Sequence, residues 1–447
     1  MNKKILSLAL PNIIANVTVP LLGIVDMAIV GHLGTAHIAA MAIGTGIFNL
    51  IYWNFGFLRM GTSGFTAQAY GARRLDEAVH TLLRAVTIAL AIALLLLLLQ
   101  WPISRLALVI FHGSSHILEL ALTYFFIRIW AAPATLGLYA IKGWFIGMQN
   151  SRLPMWIAIF LNAVNIVASL LFVLVLKWGI AGVALGTVVA QYSGMAAALF
   201  LAHKHYGRLI RRHLDIRGSL DWDTMRRFFC VNGDIFLRTV CLAAVFTFIT
   251  AASGRISDEI LAVDALLLQF FTLFSYFMDG FAYAGESLVG RYIGARDSRR
   301  LRQSVNYLLL WGMALTMLFT ILYALWGETF MHIFSDDETI IAATMHYSFW
   351  ILAIPAVGFS AFLFDGIFIG ATASKAMRNA MFIATAAFLA VYFVGKAIYV
   401  NTQLPSPVAK SIWNNILWIA FMVFLSLRGI LQAMQLRRHV YAQVETY

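Results

Sequence analysis

Long apolar stretches, each closed by a short polar or basic turn, recur along all 447 residues. Residues 89–99, for example, are apolar without interruption. A helix needs about 20 such residues to cross a bilayer, whereas the strands of a membrane barrel alternate over about ten positions. The pattern therefore predicts an all-α integral membrane protein. We expect twelve transmembrane helices, at 5–31, 38–70, 77–103, 116–148, 153–176, 180–203, 226–252, 259–293, 302–328, 337–370, 376–399 and 406–430.

The two halves of the chain repeat. Gly71-Ala72-Arg73 recurs as Gly294-Ala295-Arg296, and Phe145-Ile146-Gly147 recurs as Phe368-Ile369-Gly370, both after 223 residues. A shared offset near half the chain length indicates two parallel, pseudo-symmetric repeats, and transporters built this way alternate access between the repeats. We predict three parts: an N-lobe of six helices at 1–203, a cytoplasmic linker at 204–224, and a C-lobe of six helices at 225–447 with a short cytoplasmic tail.

Composition and charge agree with a membrane protein. Hydrophobic residues make up 61% of the chain and charged residues 12%, yet the formal net charge is +12. Lys and Arg concentrate in alternate loops, as at 73–74 and 299–300, whereas the opposite side holds an acidic loop at 336–338. Basic loops stay in the cytoplasm, so we predict a bacterial inner-membrane protein with both termini cytoplasmic. Orientation explains the basic surplus, and we expect no nucleic-acid partner.

The sequence contains no recognisable motif for a disulfide framework, a metal site, nucleotide binding or catalysis. The two cysteines, Cys230 and Cys241, lie in one apolar stretch and form no disulfide framework or metal motif. No Walker loop, zinc triad or nucleophile elbow occurs. We therefore expect neither an enzyme nor an ATP-driven pump, with no metal and no cofactor. A coupling ion, H⁺ or alternatively Na⁺, remains as the energy source.

Asp26 is the most informative intramembrane charge. An ionisable side chain within a span costs about 2.5–3.5 kcal/mol on insertion scales, which makes it a candidate functional site. Asn12, Asn16, Gly23 and Asp26 follow at spacings of a helical stripe. Such a buried carboxyl group can serve as a proton-coupling site. The alternative is a structural role, in which Asp26 only forms hydrogen bonds within the helix bundle.

Two prolines interrupt the same helix. Pro11 and Pro20 each lack a backbone donor and favour a kink. Either proline would let the first helix bend when the charge on Asp26 changes.

Further polar side chains lie in the other spans of the N-lobe. Spacings of three and four residues place them on shared helix faces. Each of them can join neighbouring helices by hydrogen bonds. As a group they can instead line a substrate pocket and hydrogen-bond the Asp26 carboxylate. These candidates are Tyr124, Asn162, Asn165, Ser169, Thr187 and Gln191.

The C-lobe carries its own intramembrane acids, and the candidates there are Asp234, Asp264, Asp279 and Asp365. Asp234 and Arg238 lie four residues apart, which predicts a neutral ion pair on one helix. Arg59 and Arg128 of the N-lobe are possible partners for the remaining C-lobe acids, although the sequence alone does not pair them.

Several motifs together resemble the multidrug and toxic compound extrusion (MATE) transporters, and more narrowly their bacterial DinF branch. The resemblance covers essentially the whole chain. Its motifs are Leu10–Asn12, Val19–Asp26, Gly31–Gly34, Phe57–Met60, Thr66–Ala72, Asp279–Ala284 and Phe364–Ala371.

The resemblance implies two six-helix lobes around a central cleft, and export of lipophilic cations against an inward proton or sodium gradient. Asp26 matches the acid linked to protonation in the DinF branch, and Pro11 matches the bending proline, with Pro20 as the alternative. Asn165 and Thr187 match pocket residues of the fifth and sixth helices. Ser169 departs from relatives that have an Asp there. Asp365 lies in the helix that supplies a sodium-binding acid in the NorM branch, but the surrounding motif is DinF-like.

We therefore predict a monomeric proton-coupled multidrug antiporter that binds small lipophilic cationic drugs and is surrounded by membrane lipids. A sodium-coupled drug antiporter is one alternative. A lipid-linked substrate flippase is another, although a flippase of anionic headgroups should have a more cationic interior. A multi-pass membrane enzyme would need clustered catalytic residues.

Overall fold

The computed structural model describes residues 1–110, 114–219, 221–399 and 406–445. Twelve helical spans in these ranges are long and apolar enough to cross a membrane. The predicted all-α integral membrane fold with twelve spans is thereby confirmed. Parts of the predicted linker and C-lobe, at residue 220 and at residues 400–405 and 446–447, lie outside the described residues.

The helices are numbered in chain order. They are α1 (Asn2–Gly31), α2 (Thr35–Asn54), α3 (Phe57–Gly71), α4 (Leu75–Leu98), α5 (Gln100–Ile110), α6 (Ser115–Arg128), α7 (Ala132–Gly147), α8 (Arg152–Leu170), α9 (Gly179–Arg212), α10 (Ile216–Ser219), α11 (Trp222–Ile256), α12 (Asp258–Gly294), α13 (Ser298–Phe334), α14 (Glu338–Met345), α15 (Ser348–Gly370), α16 (Ser374–Tyr399), α17 (Ser406–Leu436) and α18 (Ala442–Glu445). The second span combines α2 and α3, and the fourth combines α6 and α7 through a 3₁₀ turn at Ile129–Ala131.

Two predicted spans are shorter than expected. The stretch 77–103 divides where α4 ends at Leu98, because Pro102 has no N–H to donate to the Leu98 carbonyl. The stretch 337–370 divides into α14 and α15, and only α15 is long enough to span. Asp337 caps α14 by accepting a 2.9 Å hydrogen bond from the Thr339 amide. Because these bonds favour the ionised form, they hold the pKa of the Asp337 carboxyl below its usual range.

The helices group into two compact units. One unit comprises Ser7–Asn232, and the other comprises Met1–Leu6 with Gly233–Tyr447. In the first unit α3 and α4 pack on α7, and α8 packs on α9. In the second unit α12 packs on α15, and α16 packs on α17.

The predicted linker at 204–224 is largely helical. It consists of the end of α9, the short helix α10 and the start of α11. Arg84 of α4 is buried, and it donates hydrogen bonds of 2.6 Å to the Ser219 carbonyl and to Glu77. The bond to Ser219 attaches α10 to α4, and the bond to Glu77 fixes the Arg84 side chain on α4.

Four helix ends show the internal repeat in the backbone. Each ends in a non-glycine residue with a positive φ between 50° and 65°, at Arg73, Gln149, Arg296 and Thr372. The last two residues follow the first two by the same 223 positions. The next amide donates back into the helix each time, as in the 3.0 Å bond from the Arg74 amide to the Ala69 carbonyl, which is a common way to end a helix. The repeated sequence thus produces repeated local geometry.

Paired glycines bring two helices of each unit into close contact. In the first unit a Cβ atom on Gly143 would overlap the Arg59 carbonyl, where α7 crosses α3. In the second unit a Cβ atom on Gly366 would overlap the Ala282 carbonyl, where α15 crosses α12. A further glycine follows four residues later in both helices. Small residues at this spacing let helix backbones approach in membranes.

We expect Gly366→Ala to lower the thermal stability of the protein. The new methyl group must push α15 away from α12, and overpacking of this kind costs about 1–3 kcal/mol. Gly327→Ala is the matched control, because a Cβ atom at Gly327 meets no atom within 4 Å. A fluorescence melting curve in detergent compares the two variants. Equal melting temperatures would contradict the close contact at Gly366.

Candidate functional site

The first helix carries the candidate site, and two hydrogen bonds among the described residues attach it to α8 and to the turn before α8. It runs without interruption through Pro11 and Pro20. The buried Asn12 amide donates to Ser151 at 3.0 Å, which joins α1 to the turn before α8. Asn162 of α8 donates to the Thr18 carbonyl at 3.1 Å. Both links lie before Asp26, so the last part of α1 extends past its attachments to α8.

Asp26 lies in that last part and is half-buried. Its Oδ1 atom is shielded from solvent and has no hydrogen-bond partner among the described residues. The charge that acts on it comes from Arg128, at the end of α6. A buried carboxylate oxygen without a donor is costly when it is ionised, so the site favours an ion or a proton as an additional partner.

Arg128 is held by aromatic side chains. It donates a 2.6 Å hydrogen bond to the Tyr124 hydroxyl. Its guanidinium lies 4.8 Å from the centroid of the Phe48 ring, within the range of a cation–π interaction. Phe48 in turn stacks on Phe125 at 5.4 Å. Gly44 leaves room for the arrangement, because a Cβ atom there would overlap the Tyr124 ring.

The sequence alone did not identify Arg128 as the neighbour of Asp26. We considered it as a partner for C-lobe acids, whereas the structure places its charge near Asp26 within the same unit. The sequence did mark Arg128 as a candidate functional residue, because this arginine lies inside an apolar span. The choice of partner depends on how α6 packs, which spacing along the chain does not reveal.

The other predicted polar residues of this unit form a separate cluster. Asn165 donates to Thr187 at 3.2 Å, and Ser169 donates to Asn165 at 3.4 Å, joining α8 to α9. All three side chains are buried, whereas Asn16, Asn162 and Gln191 are half-buried. Asp26 Oδ1 accepts no hydrogen bond from them among the described residues, and their role as a pocket around the Asp26 carboxylate stays a prediction. Tyr124 is linked to Asp26 indirectly, because it holds the Arg128 guanidinium whose charge acts on Asp26.

In the second unit Asp365 is the centre of a buried ion-pair network. Its Oδ2 atom accepts hydrogen bonds from Arg238 of α11 and from Arg428 of α17, the latter at 2.6 Å. Its Oδ1 atom accepts from Gln432 at 2.8 Å. Asp279 is half-buried on α12, and its charge acts on Arg428. Two acids thus balance two guanidinium groups.

The predicted ion pair between Asp234 and Arg238 is wrong. Arg238 reaches across to Asp365, and Asp234 instead pairs with Arg378 of α16 at 2.6 Å. Asp234 also accepts a 2.7 Å hydrogen bond from Ser374. The long arginine side chains find partners on other helices, and these contacts replace the pairing within α11.

Asp264, the remaining candidate, is buried on α12. It accepts a 2.7 Å hydrogen bond from the indole of Trp418 on α17 and lies in hydrogen-bond contact with Ser253 of α11. None of these side chains forms a metal cluster, since no group of three or more His, Cys, Asp or Glu residues able to hold a metal ion occurs in the described ranges.

Comparisons with known proteins identify the family of the chain and show its internal repeat. The MatE family model matches residues 11–171 and again residues 235–395, an offset of 224 residues. DNA damage-inducible protein F from Escherichia coli K12 is 36% identical over 98% of this chain and 92% of its own length. A probable multidrug resistance protein NorM from Neisseria meningitidis serogroup B is 23% identical over 76% of this chain and 75% of its own.

Solved structures share the fold. A crystal structure of MATE in the straight conformation superposes with a TM-score of 0.83, covering 100% of this chain and 97% of that chain at 17% identity. The two matches to the family model cover well over half of the chain, and the Escherichia coli relative covers almost all of it. The chain therefore belongs to the MatE family, whose members are transporters and not enzymes.

Proposed function

We propose that this transporter is a proton-coupled multidrug antiporter that exports lipophilic cations. The observation that carries the proposal is the shielded, unpartnered oxygen of Asp26 beside Arg128. The family supports the substrate class, because one relative is named as a probable multidrug resistance protein. A bacterial relative and the basic loops support a cytoplasmic membrane location with both termini inside.

Competition between proton and drug follows from the charges. While Asp26 is ionised it neutralises the field of Arg128, so a cationic drug can approach the carboxylate and the nearby rings. When a proton neutralises Asp26, Arg128 remains as an uncompensated positive charge. Like charges repel strongly where water is scarce, and the drug is released. One carboxyl group then accounts for the exchange of a proton against a cation.

The prolines provide the accompanying movement. Pro20 lies between the Thr18 attachment and Asp26, so a bend there moves Asp26 without breaking the bond to Asn162. Pro11, which matches the family position, lies before both attachments, and a bend there strains the bonds of Asn12 and Thr18. Separate Pro11→Ala and Pro20→Ala variants distinguish the two hinges.

We expect Arg128→Gln to weaken substrate release. Without the guanidinium, protonated Asp26 no longer leaves a repelling charge, and even in bulk water two like charges about 4 Å apart repel by about 1 kcal/mol, which we take as the minimum effect. That corresponds to about fivefold tighter drug binding at acidic pH. Equilibrium binding of a fluorescent cation to purified protein measures it. Arg255→Gln, an exposed arginine of the other unit, is the control, and unchanged acidic binding in Arg128→Gln would contradict the repulsion.

The coupling ion is tested directly in liposomes. Both carboxylate oxygens of Asp365 already accept hydrogen bonds from cationic or amide groups, which disfavours Na⁺ binding there and supports protons. Reconstituted protein should transport ethidium under an imposed pH gradient in sodium-free buffer. Transport that appears only with a sodium gradient would overturn proton coupling and favour the sodium-coupled alternative.

A further inference from the structure

Asp264 lies in a closed site built by three helices of the second unit. Asp264 belongs to α12, Ser253 to α11, and Trp418 and Asn414 to α17. Each of these side chains is at most 1% exposed. Asp264 lies six residues after Asp258, the start of α12, which is less than two helical turns and about 9 Å along the axis. The proposed function makes no use of this acid.

The Ser253 hydroxyl cannot satisfy both of its contacts if Asp264 is ionised. The Ser253 hydroxyl lies 2.8 Å from the Ile249 carbonyl and is also in contact with Oδ2 of Asp264. A hydroxyl has one hydrogen to donate, and the Ile249 carbonyl can only accept. Both contacts are satisfied together when Asp264 carries a proton on Oδ2 and donates it to Ser253, which in turn donates to Ile249.

Asn414 supplies a second arrangement. It is fully buried, and its side chain lies within hydrogen-bonding reach of the Asp264 carboxyl group, although Nδ2 makes no well-aligned hydrogen bond and Oδ1 has no partner among the described residues. An unsatisfied buried amide is unusual. An ionised Asp264 would accept from Asn414 Nδ2, from Ser253 and from Trp418. The donor that the ionised form needs is therefore already close to the carboxyl group, and a small rotation of the Asn414 amide would align it.

Asp264 forms no ion pair with a cationic side chain among the described residues. Near the end of the helix bundle where α12 starts, the neighbouring helices carry charged or titratable side chains. None of these side chains pairs with Asp264 in the described ranges. They are Arg255 on α11, Glu328 and His332 on α13, Glu338 on α14, Lys410 on α17, and Glu259 on α12 itself. On α15, Asp365 is occupied by Arg238 and Arg428. Asp264 has only uncharged hydrogen-bond partners.

We propose that Asp264 is a second proton-binding site, in which binding and loss of a proton switch the hydrogen bonds that join α11, α12 and α17. In the protonated state Asp264 donates to Ser253, and the Asn414 amide is not aligned with the carboxyl group. In the ionised state Ser253 turns from Ile249 to Asp264, and Asn414 donates as well. The proton site stands independently of the proposed function, and only its contribution to transport rests on proton coupling.

Infrared difference spectroscopy of the full-length protein in liposomes tests the proposal. Spectra at acidic and alkaline pH should differ by a protonated-carboxyl band that Asp264→Asn removes and Asp26→Asn retains. Asparagine can donate to Ser253 and accept from Trp418, so this variant should keep its fold. Ser253→Ala removes the acceptor of the proton and should shift both the frequency of the band and the pH at which it disappears.

Asp234→Asn is the matched control, because Asp234 is buried but paired with Arg378, and it should leave the band unchanged. Identical difference spectra in wild type and Asp264→Asn would overturn the proposal, as would an Asp264 band that persists at every pH. If the Asp264 band titrates while Asp26→Asn still transports, the second site stands and the proposed role of Asp26 fails.

Discussion

Asp26→Asn is expected to reduce proton-driven drug export to the background of protein-free liposomes. Asparagine has nearly the same shape as aspartate but neither ionises nor takes up a proton. It therefore fixes the site in a state that resembles the protonated form, with the Arg128 charge uncompensated. Ethidium transport under an imposed pH gradient measures the loss, and drug binding should lose its dependence on pH in the same variant.

Asp337→Asn provides the comparison. Asp337 is an exposed acid in the turn before α14, so its replacement should leave transport close to wild type. A melting curve of Asp26→Asn shows whether the protein remains folded. Folded Asp26→Asn that still exports ethidium at the wild-type rate would remove Asp26 from the mechanism.

Asp365→Asn is expected to destabilise the second unit by about 3–5 kcal/mol, the usual result of breaking a buried ion pair by removing one partner. Arg238 and Arg428 are 5% and 2% exposed, and without the shared carboxylate neither can reach water. We expect a large fall in melting temperature or in the yield of folded protein. Thermal unfolding in detergent measures the effect.

Two further variants separate charge from packing. Asp234→Asn should cost less, because the side chain of its partner Arg378 is 27% exposed and can be solvated. Combining Asp365→Asn with Arg238→Gln removes one charge of each sign and should recover part of the stability. If Asp365→Asn unfolds at the wild-type temperature, the network does not hold the unit together.

The apolar stretches were sufficient to predict the twelve spans. A helix that crosses the membrane satisfies its own backbone hydrogen bonds, so each span appears in the sequence as one continuous apolar stretch. The errors arose at span ends. Pro102 and the Asp337 cap act over one or two turns, a range too short to change the hydrophobic pattern. The internal repeat was also visible in the sequence. The residues at helix ends and the glycines at helix crossings recur after the same 223 positions.

Pairing between helices was not predictable in the same way. Asp234 and Arg238 satisfy the spacing rule for one helix, yet both have partners on other helices. The choice of Arg128 as the neighbour of Asp26 likewise depends on tertiary packing. Sequence reasoning identified the candidate acids, but their charged partners required the structure.

The Asp365 network also determines the order in which the second unit can be completed. Arg428 follows Asp365 by 63 residues, which takes a ribosome about 3–13 s to synthesise. During that interval α15 has entered the membrane while one of its two guanidinium partners does not yet exist. Until α17 emerges, Arg238 on α11 is the guanidinium group of this network that is available to Asp365. A stop codon before α17 would leave an incomplete intermediate suited to recognition by membrane quality-control proteases.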